Sequence, residues 1–162
     1  MLVSNTSTLV LLAKVQCLEA FIGIGHIIEI PSQVKQESLF DEGSYYARLI
    51  QKLIAERKIK VTNTDEKATA NVMSQFRLHK GEAAAYVLFN GKKHGAILTD
   101  DWELIKLCRL NGVPFICAMA IVIILNQNGT LTKKEAVEKL NDLFEIGRYS
   151  EKLYEHFKSK VS

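Results

Sequence analysis

Four acidic residues, Glu37, Glu82, Asp100 and Asp101, stand in segments of the chain that otherwise read as packed. Carboxylates gathered in one place repel each other, so one must take a proton or a cation must neutralise the set. Hard divalent ions such as Mg2+ or Mn2+ favour such oxygen ligands, and Mg2+ keeps several waters when bound. An ion held in this way activates a water for attack and steadies charge on a phosphodiester oxygen. Each acid also has an ordinary reading. Glu82 lies in the first turn of a helix, where an acid suits the helix dipole. Asp100-Asp101 reads as a turn with a helix cap, and Glu37 as a solvated helix residue. The difference between a site and a set of surface acids therefore rests on where the elements place them.

The opening LVSN is apolar and meets the polar cluster Asn5-Thr6-Ser7-Thr8, as a buried strand running into a capped helix would. That helix is expected through LVLLAKVQCLEAF, ended by Gly23 and Gly25. His26 to Ile30 reads as a second strand stopped by Pro31, with Ser32 as the cap of a short helix SQVKQESLF. Tyr45, Leu49, Leu53 and Ile54 share a face at helical spacing between Ser44 and Arg57, and Ile59 to Val61 is a brief strand. The stretch from Thr62 to Lys80 is polar and mixed, with some packed helix suggested by Met73, Phe76 and Leu78. Gly81 then precedes an alanine-rich helix ending near Gly91 to Gly95.

Ala96 to Thr99 is a strand, and Trp102 to Leu110 a helix closed by Asn111-Gly112. Val113 to Ile116 makes a further strand. Helices are expected at Ala120 to Asn126, Lys133 to Phe144 and Glu151 to Lys158, the second opened by a Thr132/Glu135 capping box. Strand and helix alternate for most of the length, which implies an α/β fold with a central parallel sheet covered by helices on both faces. In such sheets the functional groups gather beyond the carboxyl ends of the strands. Asn5 follows the first strand, Glu37 the second and Asp100-Asp101 the fourth, so the polar residues can meet on one rim.

The bulk properties agree with one domain over residues 1–162, a core of about 1–118 and a helical C-terminal extension of about 119–162. Hydrophobic residues make up 48% and charged residues 24%, an ordinary globular balance, and the net charge of +3 permits an anionic partner without demanding one. Cys17, Cys108 and Cys117 lack CxxC spacing and read as buried free thiols of a reducing compartment. The scattered histidines are assigned to no metal. No stretch reads as a membrane span or cleavable signal, and a cytoplasmic protein is expected.

Against this background the chain resembles PIN domains. VSNTSTLVLLAKV is similar to a first motif in which a strand ends in Asp-x-Ser before an aliphatic helix. IPSQVKQE is similar to the second, KGEAAAYVLF to the third and AILTDDWELIKL to the fourth, in the same order and over roughly the whole chain. The likeness is nearest to a VapC-like branch with Gly-Glu and Asp-Asp motifs and a helical tail. It implies a Mg2+- or Mn2+-dependent ribonuclease, the toxin of a toxin–antitoxin pair, acting on RNA, pairing as a homodimer and held by a small antitoxin. On this resemblance Glu37, Glu82 and Asp101 fall on catalytic metal-ligand positions. Asp100 falls beside them as neighbour or additional ligand, and Ser7 and Thr99 on supporting positions.

Asn5 departs from the pattern, which has an aspartate there; a natural asparagine and an engineered replacement both account for it. Its amide oxygen can still ligate a hard cation but brings no charge. Losing one unit charge about 4 Å from a partner matters by roughly 1–4 kcal/mol, so weaker metal binding is expected. The alternative is a catalytically weakened PIN domain that binds RNA or protein. Ala118-Met119 departs too, from a Gly-Thr pair. Lys35, Lys80, Lys92, Lys93, Lys106 and Arg109 are candidates for RNA phosphates. Leu140, Leu143 and Phe144 are candidates for a dimer face. A Rossmann domain would need a glycine-rich loop after the first strand, but Gly23-Ile24-Gly25 precedes the second; a Toprim-type nuclease would leave Asn5 and Glu37 without a role.

Overall fold

The computed structural model describes all residues 1–162. In chain order the elements are β1 (Leu2–Ser4), α1 (Thr6–Lys14), α2 (Leu18–Gly23), β2 (Ile28–Pro31), α3 (Ser32–Ser38), α4 (Tyr45–Ala55), β3 (Ile59–Thr62) and α5 (Glu66–Gln75). There follow α6 (Lys80–Leu88), β4 (Ala96–Leu98), α7 (Trp102–Leu110), β5 (Phe115–Ile116), α8 (Ala118–Gln127), α9 (Lys133–Ile146) and α10 (Glu151–Lys158). The strands form one five-stranded sheet in the order β3-β2-β1-β4-β5, with every pairing parallel.

The pleat sends alternate residues to opposite faces, and the two faces carry two separate cores. Leu2, Ile28, Ile30, Ala96 and Leu98 join the larger cluster under α1 to α4, α8 and α9. Val3 and Ile97, the residues between, join the smaller cluster under α6 and α7. Helices therefore cover both faces, as a parallel sheet requires. The C-terminal helices are part of the larger core: Met119, Ile121, Val122 and Leu125 of α8 and Ala136, Leu140 and Leu143 of α9 are buried with α1.

Several boundaries differ from the sequence reading for identifiable reasons. The helix expected through Phe21 is broken at Gln16, which takes a left-handed φ of 61° and separates α1 from α2. Ser32 is the first helical residue rather than the cap, because Pro31 both ends β2, paired with Thr62, and occupies the cap position of α3. Gly81 lies inside α6, which stops at Leu88, and the polar stretch before it holds α5, capped by Asp65. The capping box of Thr132 and Glu135 forms at the start of α9. All three cysteines are free thiols, and burial pushes each up to about 11.

Candidate active site

The sheet order makes β1 and β4 neighbours although one connection from β1 leads toward β2 and β3 while β4 leads to β5. Open parallel sheets bind ligands at the carboxyl ends where the order diverges in this way. Asn5 leaves β1 at that point, and Thr99, Asp100 and Asp101 leave β4 beside it.

Asn5 is fully buried. Its Oδ1 accepts from the Thr8 N–H at 3.1 Å and caps α1, and its Nδ2 donates to Thr99 Oγ1 at 2.9 Å. Thr99 Oγ1 also accepts from the Asp101 N–H at 3.1 Å. One buried hydroxyl thus ties the end of β1 to the turn that presents Asp101. Asp101 caps α7 by accepting from the Leu104 N–H at 2.8 Å through Oδ1.

Asp100 is more heavily engaged. Its Oδ2 accepts from Thr8 Oγ1 at 2.6 Å, its Oδ1 accepts from the Tyr149 hydroxyl at 2.6 Å, and the Ala118 N–H lies 3.2 Å from both oxygens. Burial pushes its pKa up, and these donors pull it part of the way back. The Tyr149 hydroxyl is raised in turn by burial and by the Asp100 charge. Ala118, at a departure from the PIN pattern, supplies that N–H from the first turn of α8.

Above this layer lies an open cleft of about 580 Å³ lined by Glu37, Glu82, Asp100 and Asp101, together with Ser7, Lys14, His79 and Arg148. Asn5 and Thr99 lie beneath it. Glu37 comes from α3 and is exposed as a whole, but its carboxylate end abuts α6, where a Cβ on Gly81 would overlap Oε1. Burial of that end raises its pKa, with Thr6 and His79 pulling the other way. Glu82 is half-buried in the first turn of α6, and its Oε2 is buried with no hydrogen-bond partner. Burial raises its pKa first, and the charges of Asp101 and Glu37 add to that, against its own backbone N–H and His79.

The donor set suits a hard divalent cation: it is all oxygen, and a buried carboxylate oxygen lacks any partner. The side chains nevertheless stand apart. No three histidine, cysteine, aspartate or glutamate groups of the chain converge on one ligand point.

A family model for DUF3368, a PIN domain, matches residues 1–162. The chain belongs to the PIN-domain family. No curated protein and no solved structure matches it. Membership brings a nuclease class that generally depends on a divalent metal.

In this PIN domain the bracing hydroxyls are those of Thr8 and Thr99. Ser7 is exposed at the cleft. Three of the six basic residues singled out in the sequence are occupied elsewhere, and none of the six lines the cleft. Lys93 pairs with Glu29 at 3.2 Å, Lys106 with Glu103 at 2.9 Å, and Arg109 lies over the rings of Trp102 and Phe115. The basic side chains that line the cleft are Lys14, His79 and Arg148. His79 had a readable signal, since it occupies the cap position three residues before Glu82. Lys14, Arg148 and Tyr149 had none, because only the packing of α1 against the C-terminal segment brings them there. Leu140 and Leu143, candidates for a dimer face, are fully buried within their own chain, and Phe144 stacks on Tyr154.

Proposed function

We propose that this PIN domain is a Mg2+- or Mn2+-dependent endoribonuclease of the VapC type, in which Glu37, Glu82 and Asp101 hold the cation. The observation that carries the reading is the unpartnered buried Oε2 of Glu82 in a cleft that also holds Glu37 and Asp101. Burial raises Glu37 and Glu82, and the charges of Asp101 and Glu37 add to the load on Glu82, which a cation would offset. Bound there, the ion would supply an activated water and stabilise negative charge on a phosphodiester oxygen. Thr99 orients Asp101 through its backbone N–H, and Gly81 leaves room for Glu37. Asp100 and Asn5 act mainly by orienting the site, because their polar atoms are already hydrogen-bonded.

The toxin role belongs to the same proposal and rests on the VapC-like motifs. A small antitoxin would cover the acidic cleft, with an Arg or Lys side chain taking the place of the cation through charge-assisted hydrogen bonds. A homodimer is retained in the proposal, on a face other than Leu140 and Leu143. Metal-stripped protein, assayed on single-stranded RNA with and without added Mn2+ or Mg2+, tests the core of the reading. Cleavage restored by the metal and lost in Glu82→Gln supports it. Cleavage indifferent to both refutes it.

A second reading has its own observation. The Asn5 amide donates to Thr99, a bond no carboxylate can make. A binding module that holds RNA or protein without cutting it accommodates this arrangement, and RNA binding without metal-dependent cleavage would select it.

A further inference from the structure

Resting on the nuclease reading, we infer that Arg148, held over the cleft by the Tyr149–Asp100 hydrogen bond, is the residue that positions the substrate's phosphate backbone. A carboxylate floor repels a polyanion, so productive binding needs cations beside the floor as well as any ion on it. Arg148 and Lys14 line the cleft, and neither forms an ion pair with any carboxylate of the chain. Lys14 lies over the Tyr46 ring, 5.0 Å from its centre, which leaves Arg148 as the more available of the two. Arginine also presents a planar fork that matches phosphate oxygens.

What distinguishes Arg148 from an ordinary surface cation is that both its neighbours are fixed. On one side the Gly147 N–H donates to the Leu143 carbonyl at 2.8 Å, which ends α9. A Cβ at Gly147 would overlap the Tyr149 ring and crowd that same carbonyl, so glycine is needed for the ring to fold back over the turn. On the other side the half-buried Tyr149 donates its hydroxyl to Asp100 Oδ1 at 2.6 Å, reaching across 49 residues of sequence. Asp100 itself is held by Thr8 and Ala118, from α1 and α8. The turn between α9 and α10 is thereby fastened to the residue next to Asp101. Arg148 is the residue between the two fixed points, and it faces the cleft. Asp100 and Tyr149 are positioning residues in this scheme, and Arg148 touches the substrate.

The test is binding of a fluorescein-labelled single-stranded RNA, followed by anisotropy across a salt series. It uses the full chain with Mg2+ in a Glu82→Gln background, so that cleavage does not enter. Arg148→Gln should weaken binding about tenfold and lower the slope of log affinity against log salt by about one, as loss of one phosphate contact does. Arg148→Lys should recover part of the affinity and most of the slope. Tyr149→Phe, which keeps the ring and removes the bond to Asp100, should weaken binding by a smaller factor while leaving the slope nearer the parent value. In the active background the same change should raise KM more than it lowers kcat. Affinity and slope unchanged in Arg148→Gln overturn the inference, as does a parent that does not bind RNA. Failure of the nuclease reading would look different: wild-type protein that never cuts RNA with Mn2+ or Mg2+, while Arg148→Gln still weakens binding, removes the catalysis and keeps the positioning role.

Discussion

The Asn5 side-chain nitrogen lies 2.9 Å from Thr99 Oγ1, and the same hydroxyl accepts the Asp101 N–H, so residue 5 and Asp101 are coupled through one buried oxygen. Replacing Asn5 by Asp preserves size and the cap on α1 but removes the donor. The Thr99 hydroxyl must then turn to donate, and a buried negative charge is added under Glu82 and Asp101. Metal-free Asn5→Asp should therefore be less stable by about 3 kcal/mol, the scale for a buried charge without a partner. Added Mn2+ should recover more stability in this variant than in the parent, and cleavage should rise. Thermal unfolding with and without Mn2+ reads both effects. An equal metal response in the two proteins would place residue 5 outside the reach of the cation.

Glu82→Gln removes a charge whose burial and neighbours already disfavour it. Without metal the variant should be as stable as the parent or more so, by up to about 1 kcal/mol, since an amide leaves less electrostatic strain in the cleft. It should lose most of the stabilisation that Mn2+ gives the parent, and at least about a hundredfold in cleavage rate, on the scale of several kcal/mol for a metal's charge stabilisation. Calorimetric titration of Mn2+ checks this directly. Parent-like affinity would remove Glu82 from the ligand set.

Gly81 matters for what it leaves out. A methyl group there would occupy the space of Glu37 Oε1, and because that atom ends a flexible side chain the carboxylate would swing away rather than unfold the helix. Glycine inside a helix also costs about 1 kcal/mol relative to alanine. Gly81→Ala is accordingly expected to change stability by less than about 1 kcal/mol while weakening Mn2+ binding and cleavage together. A variant that unfolds several degrees lower yet binds Mn2+ normally would assign Gly81 to packing alone.

The parallel α/β layout was legible because buried strands written as LVS, IEI and AIL alternate with helices, and Asn5, Glu37 and Asp100-Asp101 follow them in turn along the chain. Asp101 as a cap and Thr132 with Glu135 as a capping box were legible for the same local reason. The break at Gln16 was not, since a left-handed residue that is not glycine leaves no mark in composition. The engagement of Asp100 was equally invisible: its partners Thr8, Ala118 and Tyr149 come from three distant segments. Nor did spacing reveal that Asn5 lies beneath the cleft rather than in it. Sequence periodicity names the rim on which residues gather, and only packing decides which of them face solvent.

Glu29 is an acid in the middle of β2. It is fully buried on the sheet face opposite the larger core, level with Val3 in the pairing register. Burial alone would raise its pKa. Hydrogen bonds from Thr62 at 2.7 Å, His94 Nε2 at 2.7 Å and Lys93 at 3.2 Å outweigh this and hold it at about 2. His94 Nδ1 accepts the Asn90 N–H at 3.0 Å, which leaves the ring hydrogen on Nε2 to be donated to Glu29. A carboxyl whose folded pKa is depressed adds stability above its unfolded value of about 4.3, and that stability is lost as pH falls toward the folded value. The contribution is about 3 kcal/mol at neutral pH, from 1.36 kcal/mol for each tenfold change in proton affinity. Urea unfolding between about pH 5 and pH 2 should show the parent losing this amount. Glu29→Gln should start less stable at neutral pH and lose less across the same window. Its metal response should remain that of the parent, because Glu29 lies outside the cleft. Parallel stability curves for the two proteins would mean that Glu29 is no better held in the folded chain than in the unfolded one.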